Sequence, residues 1–301
     1  MEVGRRTWLV LWGVFVFAMA ASIQGLVSPT RQAKVNAGSS VSALASHHGE
    51  EGLALLRQGR YKEAIAELSR AVELQPASWK YSLALAEALL SANYNFTGLR
   101  FLLKVKPRFQ DLAEYHYILG LAYYMCYQYM NAIAEFKKFP QDDPKFSRVP
   151  FLIGNCYMAL GDLKQAKAFF DQAIKLKPDD ETYYVSLGKM LRMEGPQYLD
   201  EAIAVLKRAV SLKPQDVYAQ LHLADCEEGK GNYRDAETLL EQIVHENPEF
   251  QPARLALATA YEHDEKLALA LEQREIAARL KPPKPARNPE LGPPISSLAS
   301  Q

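Results

Sequence analysis

Apolar and polar residues alternate along this chain in three regimes. From Trp8 to Ala21 it reads WLVLWGVFVFAMAA, without a charge. From 23 to 44 it is rich in Ser, Ala, Gly and Gln and shows no clear period. From 45 to 282 apolar residues return at helical spacing, in segments closed by proline. GRYKEAIAELSRAVELQP ends at Pro76, GDLKQAKAFFDQAIKLKP at Pro178 and GNYRDAETLLEQIVHENP at Pro248. Each carries a turn glycine, then Tyr or Leu, then an alanine with a large apolar residue four positions on. That spacing puts one apolar stripe on a helix, and the glycine and proline mark where the helix begins and ends.

Upstream of each such segment lies another helix with its own small residue. These residues are Gly52, Ala86, Gly120, Gly154, Gly188, Ala224 and Ala258, at steps of 34, 34, 34, 34, 36 and 34. A fixed period of this length marks a repeat array, in which a unit buries its stripe only by stacking on its neighbours. The predicted fold is all-α, an alpha-alpha superhelix (solenoid) of about seven helical hairpins at 45–78, 79–112, 113–146, 147–180, 181–216, 217–250 and 251–282. The hairpin from Ala86 meets its closing Pro107 early, which predicts a shortened second helix or turn. The one from Gly188 meets Pro214 late, because the turn EGPQYLDEA is two residues longer. Asp111, Ser147, Asp180 and Asp216 are candidate N-caps of first helices, and Gly59, Gly161 and Gly231 stand where first helices must reverse. In the last hairpin Arg274 takes the slot of Phe136, Phe170, Leu206 and Leu240, so a polar outer face is expected there, as on a terminal cap.

The motifs ILGLAY (118–123) and LIGNCY (152–157), with Ala132 and Phe136 or Ala166 and Phe170 in the following helix, resemble the tetratricopeptide repeat (TPR) family. The resemblance covers about 45–282, although the family's first-helix Trp is missing throughout. It implies that first helices line a concave groove, and that the protein is a non-catalytic scaffold for a protein or peptide partner. An alternative role is an accessory subunit of an exported enzyme or of a cell-wall or polysaccharide assembly complex.

Read at i, i+4 and i+7, the groove face is Tyr117, Leu121 and Tyr124 in the third hairpin, and Phe151, Asn155 and Met158 in the fourth. It turns basic in the fifth, at Lys189 and Arg192, and acidic afterwards, at Asp225, Glu228 and Glu262. His116, Gly120, Tyr123 and Tyr127 are expected on the core face. The expected site is therefore an apolar, aromatic centre with charged flanks, since aromatics, Met and Arg are enriched at interface cores. The family's clamp for acidic peptide C-termini uses Lys, Asn and Arg. Asn155 matches one place, but Phe151 replaces the lysine and Lys189 the second asparagine, which argues against that clamp here.

The termini and the composition limit the function further. Arg5 and Arg6 precede the apolar run, and Ala18-Met19-Ala20 and Ala20-Ala21-Ser22 offer cleavage patterns, so residues 1–22 read as a secretory signal. The run to Val27 is also about long enough to span a bilayer as an uncleaved anchor. Either way the body is expected outside the cytoplasm, periplasmic, secreted or tethered, and meets a membrane only through this segment. Residues 23–44 are expected to be a flexible linker, and 283–301, with five prolines, a disordered tail. Lys and Arg number 35 and so do Asp and Glu, a balance that disfavours nucleic acid as a partner. No nucleotide-binding, zinc-protease or hydrolase motif occurs, so no enzyme, cofactor or metal is expected. Cys126, Cys156 and Cys226 read as buried apolar residues. His47 and His48 are adjacent and read as solvated surface, and Asn95-Phe96-Thr97 is a glycosylation tripeptide in a turn.

Overall fold

The computed structural model of the protein describes residues 29–139 and 146–280; the apolar run and the proline-rich tail lie outside them. Among the described residues there are fourteen α-helices and no strand. The chain divides into two compact units, residues 1–85 and 86–301.

In the first unit α1 (Pro29–Arg57) and α2 (Tyr61–Leu74) form a hairpin. Gly59, at φ 75°, makes the reversal. Ala45, Leu53 and Leu56 of α1 face Ala64, Leu68 and Ala71 of α2, all buried. A Cβ on Gly52 would stand 2.6 Å from the Leu68 side chain, so the small residue permits the close crossing. The expected linker is corrected here, because residues 29–44 continue as helix into α1. Val41 and Leu44, near its end, are exposed. Its sequence includes good helix formers, such as Gln32, Ala33 and Lys34.

After α3 (Trp79–Ser91), the second unit continues with α4 (Asn95–Phe109), α5 (Ala113–Met125), α6 (Tyr129–Phe136), α7 (Arg148–Ala159), α8 (Leu163–Leu176) and α9 (Glu181–Glu194). It ends with α10 (Leu199–Leu212), α11 (Val217–Gly229), α12 (Tyr233–Glu246), α13 (Gln251–His263) and α14 (Leu267–Arg279). Each small residue meets a large one of its partner helix: an added Cβ would lie 2.5 Å from Phe136 at Gly120, 2.7 Å from Phe170 at Gly154 and 2.5 Å from Leu206 at Gly188. Left-handed residues end the first helices at Asn93, Tyr127, Gly161, Gly231 and Glu265. Glycine marks only two of these reversals; Asn, Tyr and Glu adopt the same conformation in the others.

The family's absent tryptophan has polar substitutes. Four positions before the small residue stand His116, Tyr184, Gln220 and Arg254. Each bonds a carbonyl six residues upstream, in the turn between hairpins: His116 Nε2 to Gln110 at 2.7 Å, Tyr184 Oη to Pro178 at 3.0 Å, Gln220 Nε2 to Pro214 at 2.7 Å and Arg254 Nε to Pro248 at 2.7 Å. Four different side chains thus satisfy a turn carbonyl that the helix ladder leaves open.

Some local expectations are corrected. α4 is not shortened: it runs 15 residues and carries Pro107 inside its last turns. α6 is the short helix, at eight residues, although its hairpin reaches a proline at the usual spacing. Asp180 and Asp216 accept backbone N–H bonds as caps, but Ser147 does not; its hydroxyl faces the Tyr183 hydroxyl at 3.1 Å. Arg274 does face outward, pairing with Glu262 at 2.8 Å through both Nε and Nη2. Leu267, Leu269 and Leu271 are also exposed on the same helix, so its surface is mixed rather than polar.

Candidate functional site

The face of the first helices that the sequence assigns to the groove divides into a buried part and a more accessible part. Tyr117, Leu121, Phe151 and Asn155, expected to line a groove, are buried. Tyr117 lies 5.8 Å, ring to ring, from Phe139 and 6.1 Å from Phe136. Phe151 packs at 6.0 Å on Phe170 and at 4.9 Å on Tyr183 of the next hairpin. The expected exposed aromatic centre is therefore corrected: the protein's own rings occupy it. The physical reason is the early end of α6, after which Phe139 turns inward and meets Phe146 edge-on at 4.6 Å. Burial pushes the hydroxyls of Tyr117 and Tyr183 up to about 12, so both stay protonated donors. Asn155 is buried with its Nδ2 unpartnered among the described residues. Tyr124 and Met158 remain half-buried at the rim.

The more accessible part spans the fifth to seventh hairpins. Lys189 is half-buried and Arg192 exposed on α9. Arg192 stands 4.0 Å from Asp225 of α11, which also has His222 at 3.7 Å. Glu228 of α11 reaches His263 of α13 at 3.3 Å. Burial holds the Glu228 carboxyl above its ordinary value, against the pull of His263. Glu262 and exposed Leu255 continue the face on α13. The basic-then-acidic order read along the chain is thus a neighbouring set of opposite charges, in which Arg192 meets Asp225 at 4.0 Å while Glu262 is already held by Arg274 at 2.8 Å.

Sequence reasoning missed a second exposed set. Tyr127, assigned to the core face, is 78% exposed and left-handed at φ 60°. Its ring meets Tyr129 edge-on at 6.3 Å, and Met130 beside it is exposed. Tyr94 and Phe96 are exposed at the corresponding turn of the preceding hairpin, joined by Asn95 Nδ2 donating to Met125 O at 3.3 Å. That bond engages the nitrogen a glycan would need, so the tripeptide at Asn95 is not freely presented. Only a residue's unsuitability for the 34-residue reversal slot could have indicated Tyr127. The three cysteines are buried as expected, and burial pushes the Cys226 thiol up to about 11, away from reactivity.

Antiparallel helical hairpins in series, with small residues at the helix crossings, define a helical-repeat protein. Tetratricopeptide repeat models match residues 50–93, 151–180 and 199–260. The chain belongs to the tetratricopeptide repeat family. No curated protein matches the sequence. Among solved structures, it is similar to Pseudomonas aeruginosa pilF at 18% identity and TM-score 0.59, over 71% of this chain and 97% of that one. A tetratricopeptide repeat protein from Parabacteroides merdae aligns at 14% identity and TM-score 0.61, over 86% of this chain and all of that one, 100%. A chain of the APC/C hetero-tetramer Cut9–Hcn1 aligns at 15% identity and TM-score 0.62; 80% of this chain spans 47% of that one. At these identities the likeness is one of fold. The family to which the chain belongs consists generally of non-catalytic scaffolds that bind proteins.

Proposed function

We propose that the protein is an interaction scaffold that holds a partner segment along the open inner face of the fifth to seventh hairpins. The observation that carries this reading is the strip of Lys189, Arg192 and Glu228, flanked by the Glu262–Arg274 pair, beside a centre filled by the protein's own aromatics. A segment with an acidic residue toward Lys189 and Arg192, and a basic one toward Glu228, fits both ends and would be fixed in direction. Tyr124 and Met158 then contribute at the rim. Membership of Cut9 with Hcn1 in an assembly is consistent with this type of role.

The scaffold acts outside the cytoplasm on this reading, either secreted or periplasmic, or tethered by residues 1–22. The support is Arg5 and Arg6 followed by the uncharged run Trp8–Ala21. No helix among the described residues is long and apolar enough to cross a membrane. N-terminal sequencing of the native chain should begin near Ala21 or Ile23, or show an intact, membrane-bound start; a soluble cytosolic chain starting at Met1 rejects the location.

Cross-linking in the native compartment, followed by pull-down with the double variant Lys189→Glu, Arg192→Glu, tests the binding face. The variant should lose the partner captured by the wild type while melting at the same temperature. Equal capture by a folded double variant would move the site elsewhere on the molecule.

A further inference from the structure

His48 and Glu67 bridge α1 and α2, with Nδ1 and Oε2 only 2.6 Å apart. The same pair recurs two repeats later as His116 and Glu135, again at 2.6 Å. A cation holds the carboxylate in each case: Arg70 stands 2.8 Å from Glu67 Oε1, and Lys138 2.8 Å from Glu135. Up to this point the two hairpins share a structural device that joins their helices.

They differ in what surrounds it. His116 is satisfied on both nitrogens, because Gln110 O takes Nε2 at 2.7 Å. Upstream of His48 the chain is still helix, so no turn carbonyl lies there to do the same. Beside the pair, the third hairpin has Leu119 and Tyr115, whereas the first has Glu51 and His47 in those repeat positions. One ligand atom each from His48, Glu51 and Glu67 lies within 4.8 Å of the others, the one such grouping among the described residues. His47 Nε2 is 3.8 Å from Glu51 Oε2, and the two imidazole centres are 5.7 Å apart, so adjacent histidines converge on the same carboxylate.

We propose that His48, Glu51 and Glu67 form a binding site for a divalent transition ion, with His47 available as a fourth ligand and Zn2+ as the best match. Imidazole nitrogen with carboxylate oxygen is a zinc ligand set, with bonds of about 2.0–2.2 Å and tetrahedral ligands therefore about 3.4 Å apart. The grouping reaches that size when the exposed Glu51 side chain rotates inward and the 2.6 Å contact between His48 and Glu67 opens to admit the ion. Arg70 on Oε1 orients Glu67 so that Oε2 faces the ion, the usual role of a partner outside the ligand set. The ion would take the place of the direct His48–Glu67 contact. The ion would cross-link the helices of the first hairpin, which has a described neighbour on only one side.

Calorimetric titration of the metal-free full chain with ZnCl2, alongside thermal melting, tests this. One equivalent should bind and raise the melting temperature. Glu51→Gln, which alters an exposed side chain, should keep helicity and weaken binding by about tenfold or more; His48→Ala should do at least as much. His116→Ala, at the matching pair of the third hairpin, should leave binding unchanged. No saturable binding, or binding that survives both Glu51→Gln and His48→Ala, overturns the site.

Discussion

At the scale of single residues, the period places positions and side chains then meet or resist what the place demands. Gly154 faces the Phe170 ring at a distance that no added carbon tolerates, so a small residue is required. Tyr127 occupies a reversal that glycine fills at Gly161 and Gly231, and a bulky residue there carries backbone strain. Because its ring is mostly exposed, little packing offsets the strain. Tyr127→Gly should therefore raise stability by roughly 0.5–1 kcal/mol, since relief of the left-handed strain outweighs glycine's greater loss of freedom. Urea titration measures it; a clear loss of stability would mean that the edge contact with Tyr129 holds the turn.

At the scale of elements, the joint between α5 and α6 shows how a polar pair is placed. Burial acts to raise the Glu135 carboxyl, but hydrogen bonds from Lys138 and His116 outweigh it and hold the group below its ordinary value. A carboxyl depressed on folding contributes stability above its unfolded value, and that contribution is lost as pH falls through the folded value. Glu135→Gln should cost about 1–3 kcal/mol at neutral pH, because His116 loses a charged partner. The gap from wild type should narrow as pH is taken below the ordinary carboxylate range. A gap that stays constant down to acid pH would show that shape, not charge, matters there. The same joint ends early, and Phe139 covers Tyr117 as a consequence. Phe139→Ala should cost about 3 kcal/mol and make Tyr117 accessible, read as a shift of its ring resonances toward solvent-exposed values. An unmoved Tyr117 would mean that Phe136 alone buries it.

At the scale of the whole molecule, hairpins repeat a scaffold while the inner face changes character along the second unit. It is filled by aromatics in the third and fourth hairpins and accessible and charged from the fifth on. A partner held by such a strip should show an affinity that falls as salt is raised, because exposed charges are screened over about 8–10 Å at physiological ionic strength. The double variant at Lys189 and Arg192 should flatten that dependence. Affinity indifferent to salt would point instead to the exposed aromatic edge at Phe96 and Tyr127.

The sequence by itself determined the all-α repeat, the 34-residue step and the residues at each helix crossing. Those features are local or periodic: a stripe, a small residue and a turn recur at fixed spacing, and stacking must satisfy them in the same way each time. The order of charge along the inner face, basic at Lys189 and Arg192 and acidic at Asp225, Glu228 and Glu262, was legible for the same reason. What only the tertiary structure decided is which of those residues water reaches. Tyr117 and Phe151 share a helix face with Arg192, yet Phe139 and Tyr183, from other elements, close over them. Helix 29–44 was hidden because its sequence shows no clear apolar period. The convergence of His48, Glu51 and Glu67 was hidden because Glu67 comes from a different helix, and helix crossing alone brings its carboxylate to His48.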